Sequence, residues 1–263
     1  MTLSTRLDGH HALVCGASAG IGRAAALALA SAGCRVTALA RSRDRLEALM
    51  PQLVAVGAPD ARFLVADLDD RPSLQEALDD FLEREGPVDV LVNNSGGPPG
   101  GMLLEASEDD LTKAFGRLLL AGHLLVRAVV PGMTSLGWGR IVNVVSLSVR
   151  EPIWGLGVSN TVRGAVAAWA KTLSLELPPG ITVNNVLPGY TATERLHALA
   201  ASTGQSAGLP LETVEAAWAA SVPERRLGDP DEIGAVIAFL ASPAASYVRG
   251  QSLAVDGGRL HGT

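Results

Sequence analysis

Short runs of apolar residues alternate along the chain with longer stretches in which apolar positions recur every three to four residues. The short runs are His11–Cys15, Arg35–Ala40, Ala61–Ala66, Val88–Val92, Arg140–Val145, Thr182–Val186 and Ser252–Val255. They have the length and the apolar character of strands buried on both faces. The longer stretches, Ile21–Ala32, Arg43–Val56, Ser73–Glu85, Glu108–Leu136 and Ser159–Glu176, carry the helical period. About seven strands separated by helices predict one α/β domain over residues 1–263. Its sheet is expected to be doubly wound and predominantly parallel, with right-handed crossovers and helices on both faces. One segment breaks the alternation. Residues 191–226 are Ala-rich and contain Gly204, Gly208 and Pro210, and a segment of that length after a strand is expected to form a substrate loop or lid.

Composition narrows the function classes. Of 263 residues (27.1 kDa), 48% are apolar and 18% charged, which excludes an intrinsically disordered chain. A net charge of -6, a pI near 5.4 and no basic cluster longer than Arg225-Arg226 argue against nucleic acid and for a small-molecule partner. Of the 21 basic residues only Lys113 and Lys171 are lysines, which reads as compositional bias of the genome. Cys15 ends the first strand and Cys34 precedes its neighbour, so the thiols are expected at opposite ends of the sheet, unpaired, in a reduced cytoplasmic setting. No signal peptide is visible. The apolar stretch Leu118–Val130 is broken by His123 and Arg127 and ends at Pro131, so it reads as a buried or interface helix too short to cross a membrane. None of His10, His11, His123, His197 and His261 has a carboxylate or cysteine at ligand spacing, so no metal site is expected.

The first strand runs into Gly16-Ala17-Ser18-Ala19-Gly20-Ile21-Gly22 and then into an Ala-rich helix. Glycine belongs where a chain turns sharply and where backbone must approach phosphate closely. The helix behind it offers unpaired N–H groups and a positive dipole end to a pyrophosphate. This spacing resembles the short-chain dehydrogenase/reductase family, nearest to its 3-oxoacyl-carrier-protein reductase-like branch, and the resemblance covers nearly the whole chain. It also rests on Asp67-Leu68, on Asn93-Asn94-Ser95-Gly96 and on Pro188-Gly189-Tyr190-Thr191-Ala192-Thr193. Two later segments match as well, Arg226-Leu227-Gly228-Asp229-Pro230-Asp231-Glu232-Ile233 and Val255-Asp256-Gly257-Gly258. The resemblance implies a single-domain Rossmann-type fold and a nicotinamide dinucleotide held by Gly16, Ser18, Ala19, Gly20, Ile21, Gly22, Asp67, Leu68, Asn93, Ser95, Gly96, Pro188, Gly189, Thr191 and Thr193. At the end of the second strand an acid would bind the ribose 2′-hydroxyl, but the chain reads Leu39-Ala40-Arg41-Ser42-Arg43. Arg41 matches a 2′-phosphate instead, so NADP is expected ahead of NAD.

The family's catalytic residues align without gaps between Gly139-Arg140-Ile141-Val142-Asn143 and Lys171-Thr172-Leu173. Its serine falls on Ser146, its tyrosine thirteen positions later on Ser159, its lysine on Arg163 and its asparagine on Leu118. Carbonyl reduction builds negative charge on oxygen and needs a proton donor. Ser159 is a far poorer acid than a phenol, while Arg163 keeps its charge near neutrality and is expected to grip the ribose hydroxyls. Losing a positioned general acid costs about 10²–10⁴ in rate. The residues leave two functions open. One is an NADP-dependent oxidoreductase in which Ser146 polarises the carbonyl and another group, such as the Tyr190 phenol, gives the proton. The other is a dinucleotide-binding protein with little or no reductase activity, a regulator or a non-catalytic subunit. Ser159 also has a purely structural reading as the N-cap of its helix. His123 reads as a packed interface residue, and Trp154-Gly155-Leu156-Gly157-Val158 as an apolar pocket wall suited to an apolar carbonyl or alcohol. Family members pair through the helices that here cover Glu108–Leu136 and Ser159–Glu176. Both are apolar on more than one face, so a homotetramer or homodimer is expected.

Overall fold

The computed structural model describes residues 4–262. Its strands are β1 (His11–Cys15), β2 (Arg35–Ala40), β3 (Ala61–Val65), β4 (Val90–Asn93), β5 (Gly139–Val144), β6 (Ile181–Pro188) and β7 (Ser252–Val255). They form one parallel sheet in the order β3-β2-β1-β4-β5-β6-β7. The helices are α1 (Gly20–Ser31), α2 (Arg43–Val56), α3 (Arg71–Glu85), α4 (Glu108–Phe115), α5 (Ala121–Leu136), α6 (Gly157–Glu176), α7 (Glu194–Ala207), α8 (Leu211–Ser221) and α9 (Pro230–Ala241).

Alternate strand side chains point to opposite faces, and both faces are covered. Val14, Val36 and Ala38 share one core with Leu29 of α1, Leu46 and Leu49 of α2 and Ile237 of α9. Leu13, Leu39, Leu91 and Ile141 share the other with Leu78 and Phe81 of α3, Leu125 and Val129 of α5 and Ala170 of α6. Helices α3, α4, α7 and α9 start on side-chain caps. The Asp70 carboxylate accepts from the Ser73 amide (3.2 Å) ahead of α3, and Ser107/Asp110 and Asp229/Glu232 form capping boxes on α4 and α9.

Three expectations are revised. Glu108–Leu136 is not one regular α-helix, because Gly116–Leu120 form a π turn between α4 and α5. The Arg71 guanidinium packs over Gly116 at the start of that turn, 2.7 Å from where a Cβ would stand. The run is also longer than Leu118–Val130. Its 29 residues include an 18-residue window of mean hydropathy 1.4, enough by length and composition alone to cross a membrane, although Leu125, Val126, Val129 and Met133 are buried against the sheet. Finally, α6 starts at Gly157, so Ser159 lies buried inside its first turn and caps nothing.

A row of polar side chains crosses the sheet beneath its C-terminal edge. Asn93, Asn143, Asn185 and Ser252 are register partners on β4, β5, β6 and β7. Asn93 Nδ2 donates to Asn143 Oδ1 (2.9 Å), Asn143 Nδ2 to Asn185 Oδ1 (2.9 Å) and Asn185 Nδ2 to Ser252 Oγ (3.0 Å). Buried amides are tolerated in this core because they satisfy one another. Cys15 and Cys34 are both free and buried, and burial pushes the Cys15 thiol up to about 12, so neither behaves as a reactive thiol.

At the N-terminal edge of the sheet, His11 is buried with Nδ1 on the Pro87 carbonyl (3.2 Å) and Nε2 on Thr37 Oγ1 (2.9 Å). A carbonyl accepts only, so Nδ1 carries the proton and Nε2 accepts from the hydroxyl, which is the neutral ring. Burial, reinforced by the Arg35 charge, holds its pKa below the ordinary value. The unfolded chain therefore binds the extra proton more readily than the folded one. Stability at this site is full above the unfolded histidine range and is lost as pH falls below about 6.5. Urea midpoints measured from pH 8 to 5.5 are expected to fall, and to fall less in His11→Gln.

Candidate active site

The strand order reverses between β1 and β4, and a crevice opens there at the C-terminal ends of the strands. It widens into a cavity of about 810 Å³, the size of a cofactor site with room beside it. The turn after β1 forms one wall. Gly16 (φ +62°) and Gly20 (φ +52°) adopt the left-handed conformation that glycine favours, and they line the cavity with Ser18, Ala19 and Ile21. At its start α1 has neither a capping side chain, since Ala19 supplies none, nor an acid in its first turn, a combination it shares with α5 and α6. Its leading N–H groups and dipole are therefore left for an external anion.

Arg41 stands at the rim, 72% exposed on its side chain, with its guanidinium 3.8 Å from Asp67. Ser42 and Arg45 line the same end of the cavity, and Arg45 reaches Glu194 at 3.0 Å. Asp67 and Leu68 follow β3. Ser95 and Gly96 follow β4, and Pro188, Gly189, Tyr190, Thr191 and Thr193 follow β6. Two expected contacts are absent from the cavity wall. Gly22 lies behind the turn, where a Cβ would strike the Gly16 carbonyl and stand 2.6 Å from Asn94 Nδ2, so its role is close packing of α1. Asn93 points into the amide row, with its Oδ1 unpartnered, and the neighbouring Asn94 faces the cavity while donating to the Cys15 carbonyl (3.2 Å).

Ser146, Ser159, Arg163 and Tyr190 all line the cavity. Ser146 Oγ accepts from the Ser148 amide (3.1 Å), which orients the hydroxyl and leaves its proton free to donate. Arg163 Nε donates to Ser159 Oγ (3.3 Å), and Nη1 donates to the Val145 carbonyl and, at 3.4 Å, to that of Val144. The side chain thus ties α6 to the end of β5. Burial, with the nearby Arg195 charge, pushes its pKa down to about 10, so it remains a cation at neutral pH. The Tyr190 ring stacks on Trp218 (4.9 Å between centroids, 7° between planes), and the Arg259 guanidinium lies 4.4 Å from its other face. Arg259 Nη2 also donates to the phenol oxygen (3.3 Å), so the phenol's own proton is not consumed by that bond.

The segment Arg226–Ile233 braces the Tyr190 loop. The Gly228 amide donates to the Tyr190 carbonyl (2.8 Å) and the Ala192 amide to the Gly228 carbonyl (2.9 Å). Arg226 holds Glu232 with paired 2.7 Å bonds, which brings the Glu232 carboxyl down to about 2. Ile153 and Leu156 form an apolar wall with Leu199, whereas Trp154 is 86% exposed and lies outside the cavity lining. Leu118 is packed behind the site, on Val166 and Val158 rather than in the cavity. His123 is exposed and accepts from Trp169 Nε1 (3.3 Å). Ser42, Arg45, Arg195 and Arg259 also line the cavity, outside the residues expected there. Ser42 and Arg45 share the short run that begins at Arg41, but nothing local marks Arg195 or Arg259.

A dinucleotide cradle at a topological switch point, with a polar pocket beside it, defines a nicotinamide-type oxidoreductase scaffold. The chain belongs to the short-chain dehydrogenase/reductase family. Residues 16–259 match the family described as enoyl-(acyl carrier protein) reductase. An uncharacterized oxidoreductase of Mycobacterium tuberculosis is 35% identical over 254 residues, covering 96% of this chain and 93% of its own. The 3-oxoacyl-[acyl-carrier-protein] reductase FabG of Vibrio harveyi is 33% identical over 255 residues, covering 96% of this chain and 98% of its own. The L-sorbose reductase of Gluconobacter frateurii, solved with NADPH and L-sorbose, superposes with a TM-score of 0.92 at 27% identity, covering 98% of this chain and 99% of its own.

Gly22→Ala is expected to lift α1 from the Gly16 turn. Dinucleotide affinity should fall at least tenfold, by fluorescence titration, together with a lower urea midpoint. An unchanged affinity would remove Gly22 from the packing role.

Proposed function

We propose that the protein is an NADP(H)-dependent oxidoreductase acting on a small carbonyl or alcohol that has an apolar flank, with a non-standard proton donor. The observation that carries this reading is the uncapped start of α1 opening on the cavity beside Arg41. A pyrophosphate suits the free N–H groups, and a 2′-phosphate suits the Arg41 fork with the uncommitted Ser42 hydroxyl. When bound, the cofactor supplies or accepts a hydride. Gly16, Ser18, Ala19, Gly20 and Ile21 form its cradle. Asp67, Leu68, Ser95, Gly96, Pro188, Gly189, Thr191 and Thr193 complete the groove.

In this reading the Ser146 hydroxyl donates to the substrate carbonyl oxygen, and Ser159 supports it. Ser159 is kept in place by Arg163, whose charge also favours developing negative charge. Tyr190 gives the proton, because its phenol is the acid in the cavity that suits a developing alkoxide and Arg259 occupies only its lone pair. Residues 191–226 serve as the substrate lid: α7 walls the cavity through Arg195, Leu196 and Leu199, and α8 presents Trp218 to Tyr190. The outer faces of α4–α6 leave Phe115, Leu120, Leu136 and Leu175 exposed, which supports self-association as a homotetramer or homodimer. The two buried thiols fit a cytoplasmic setting.

Titration should show NADPH binding about tenfold or more tighter than NADH, with the preference lost in Arg41→Ala. NADH binding tenfold tighter than NADPH would reject the cofactor assignment. NADPH oxidation with a panel of ketones, aldehydes and quinones should be reduced about 10²–10⁴-fold by Tyr190→Phe and by Ser146→Ala. Cofactor affinity should not change in either variant. Tight binding with turnover only in the double variant Ser159→Tyr, Arg163→Lys would instead identify a dinucleotide-binding protein without reductase activity of its own.

A further inference from the structure

The six arginines around the cavity are unequally matched with acids. Arg41 is paired with Asp67, Arg45 with Glu194, and Arg117 grips Asp69 through two nitrogens. Arg163, Arg195 and Arg259 form no ion pair among the described residues. Asp67 and Glu194 are the carboxylates lining the cavity, and both are engaged on the Arg41 side. The inner end is therefore cationic without compensation.

Two of these guanidinium groups converge. A Cβ on Gly97 would stand 3.1 Å from Arg163 Nη2 and 3.3 Å from Arg195 Nη2, so both forks open on the same space beside a residue without a side chain. Arg163 has used Nε and Nη1 on Ser159 and the β5 carbonyls, and its Nη2 has no partner. Arg195 Nη2 gives one bond to the Pro98 carbonyl (2.6 Å), which steadies the fork and leaves its other donors free. Like charges held this close repel unless an anion lies between them. Burial first, and then the Arg195 charge, lower the pKa of Arg163.

We infer that Arg163 and Arg195 together receive a carboxylate carried by the substrate, so that the reacting molecule is an oxo acid or the corresponding hydroxy acid. This rests on the oxidoreductase reading above. The cofactor's phosphates have their own partners in the start of α1 and in Arg41, which leaves the inner pair for the substrate. Ile153, Leu156 and Leu199 then flank the carbon chain. In reduction the carbonyl carbon gains the hydride and its oxygen the proton, while the carboxylate passes through unchanged and fixes the molecule's orientation. Arg rather than Lys suits this task, since its planar fork matches a carboxylate and its charge persists when partly buried.

The test uses the NADP-saturated protein and Arg195→Gln, with pyruvate, acetoacetate and levulinate each set against its methyl ester at matched ionic strength. Thermal shift and calorimetric titration are the readouts, so turnover is not required. At least one acid should raise the melting temperature of the wild type while its ester does not, and Arg195→Gln should weaken that acid at least tenfold with NADPH affinity within twofold of wild type. Equal behaviour of acids and esters would overturn the proposal. So would a tenfold loss of NADPH affinity in Arg195→Gln, which would give the arginine pair to the cofactor's own phosphates. Failure of wild-type NADPH binding would overturn the oxidoreductase reading, and the acid–ester difference on the free protein would still decide the carboxylate site.

Discussion

The architecture depends on how closely α1 approaches the turn that precedes it. Gly22 rests on the Gly16 carbonyl and on Asn94 with no space for a methyl group. On the far side, a Cβ on Gly234 of α9 would stand 2.7 Å from the Ala24 carbonyl, so α1 is clamped between the sheet and a second helix. Those two glycine contacts set the height and direction of α1, and with them the direction of its unpaired N–H groups. An α-helix is a rigid rod with its partial charges at its ends, so placing the rod places the charge. The rim arginines, the Asn94 loop and the Tyr190 loop are arranged around that end.

Where physics acts locally, the sequence was easy to read. Five buried residues in a row make β1 legible as an interior parallel strand, and Gly16-x-x-x-Gly20 between strand and helix makes the turn legible. Roles that depend on a distant neighbour are not legible in this way. Asn93 and Asn94 are adjacent and chemically identical, yet the strand's alternation sends one into the amide row and the other toward the cavity. Gly22 belongs to the glycine motif but acts from behind it. Ser159 opens a plausible capping pattern, and only the real start of α6 at Gly157 shows that it is internal. Arg195 of α7 and Arg259 beyond β7 line the same cavity and carry no local signature at all.

Charge and packing divide the cavity into two halves. The half near α2 balances its arginines with Asp67 and Glu194, and the half near α6 does not. Arg163 links the halves' chemistry to the framework, because one planar side chain reaches a hydroxyl and two carbonyls that a lysine ammonium would have to reach from a single point. Tyr190 is similarly over-determined: held by Trp218 on one face and Arg259 on the other, its ring has little freedom to rotate out of the pocket.

The amide row from Asn93 to Ser252 bears on how the molecule is assembled. Each rung joins strands far apart in the chain, and slipping any strand by one residue would turn its amide to the opposite face. The row therefore acts as a proofreading device for register, rewarding only the alignment in which all four strands match. β7 is synthesised after the other six, so its serine is the rung that arrives last. Until then the Asn185 amide lacks its acceptor. Completion of the row is in this way tied to completion of the sheet, and a partly made chain leaves its last amide unsatisfied.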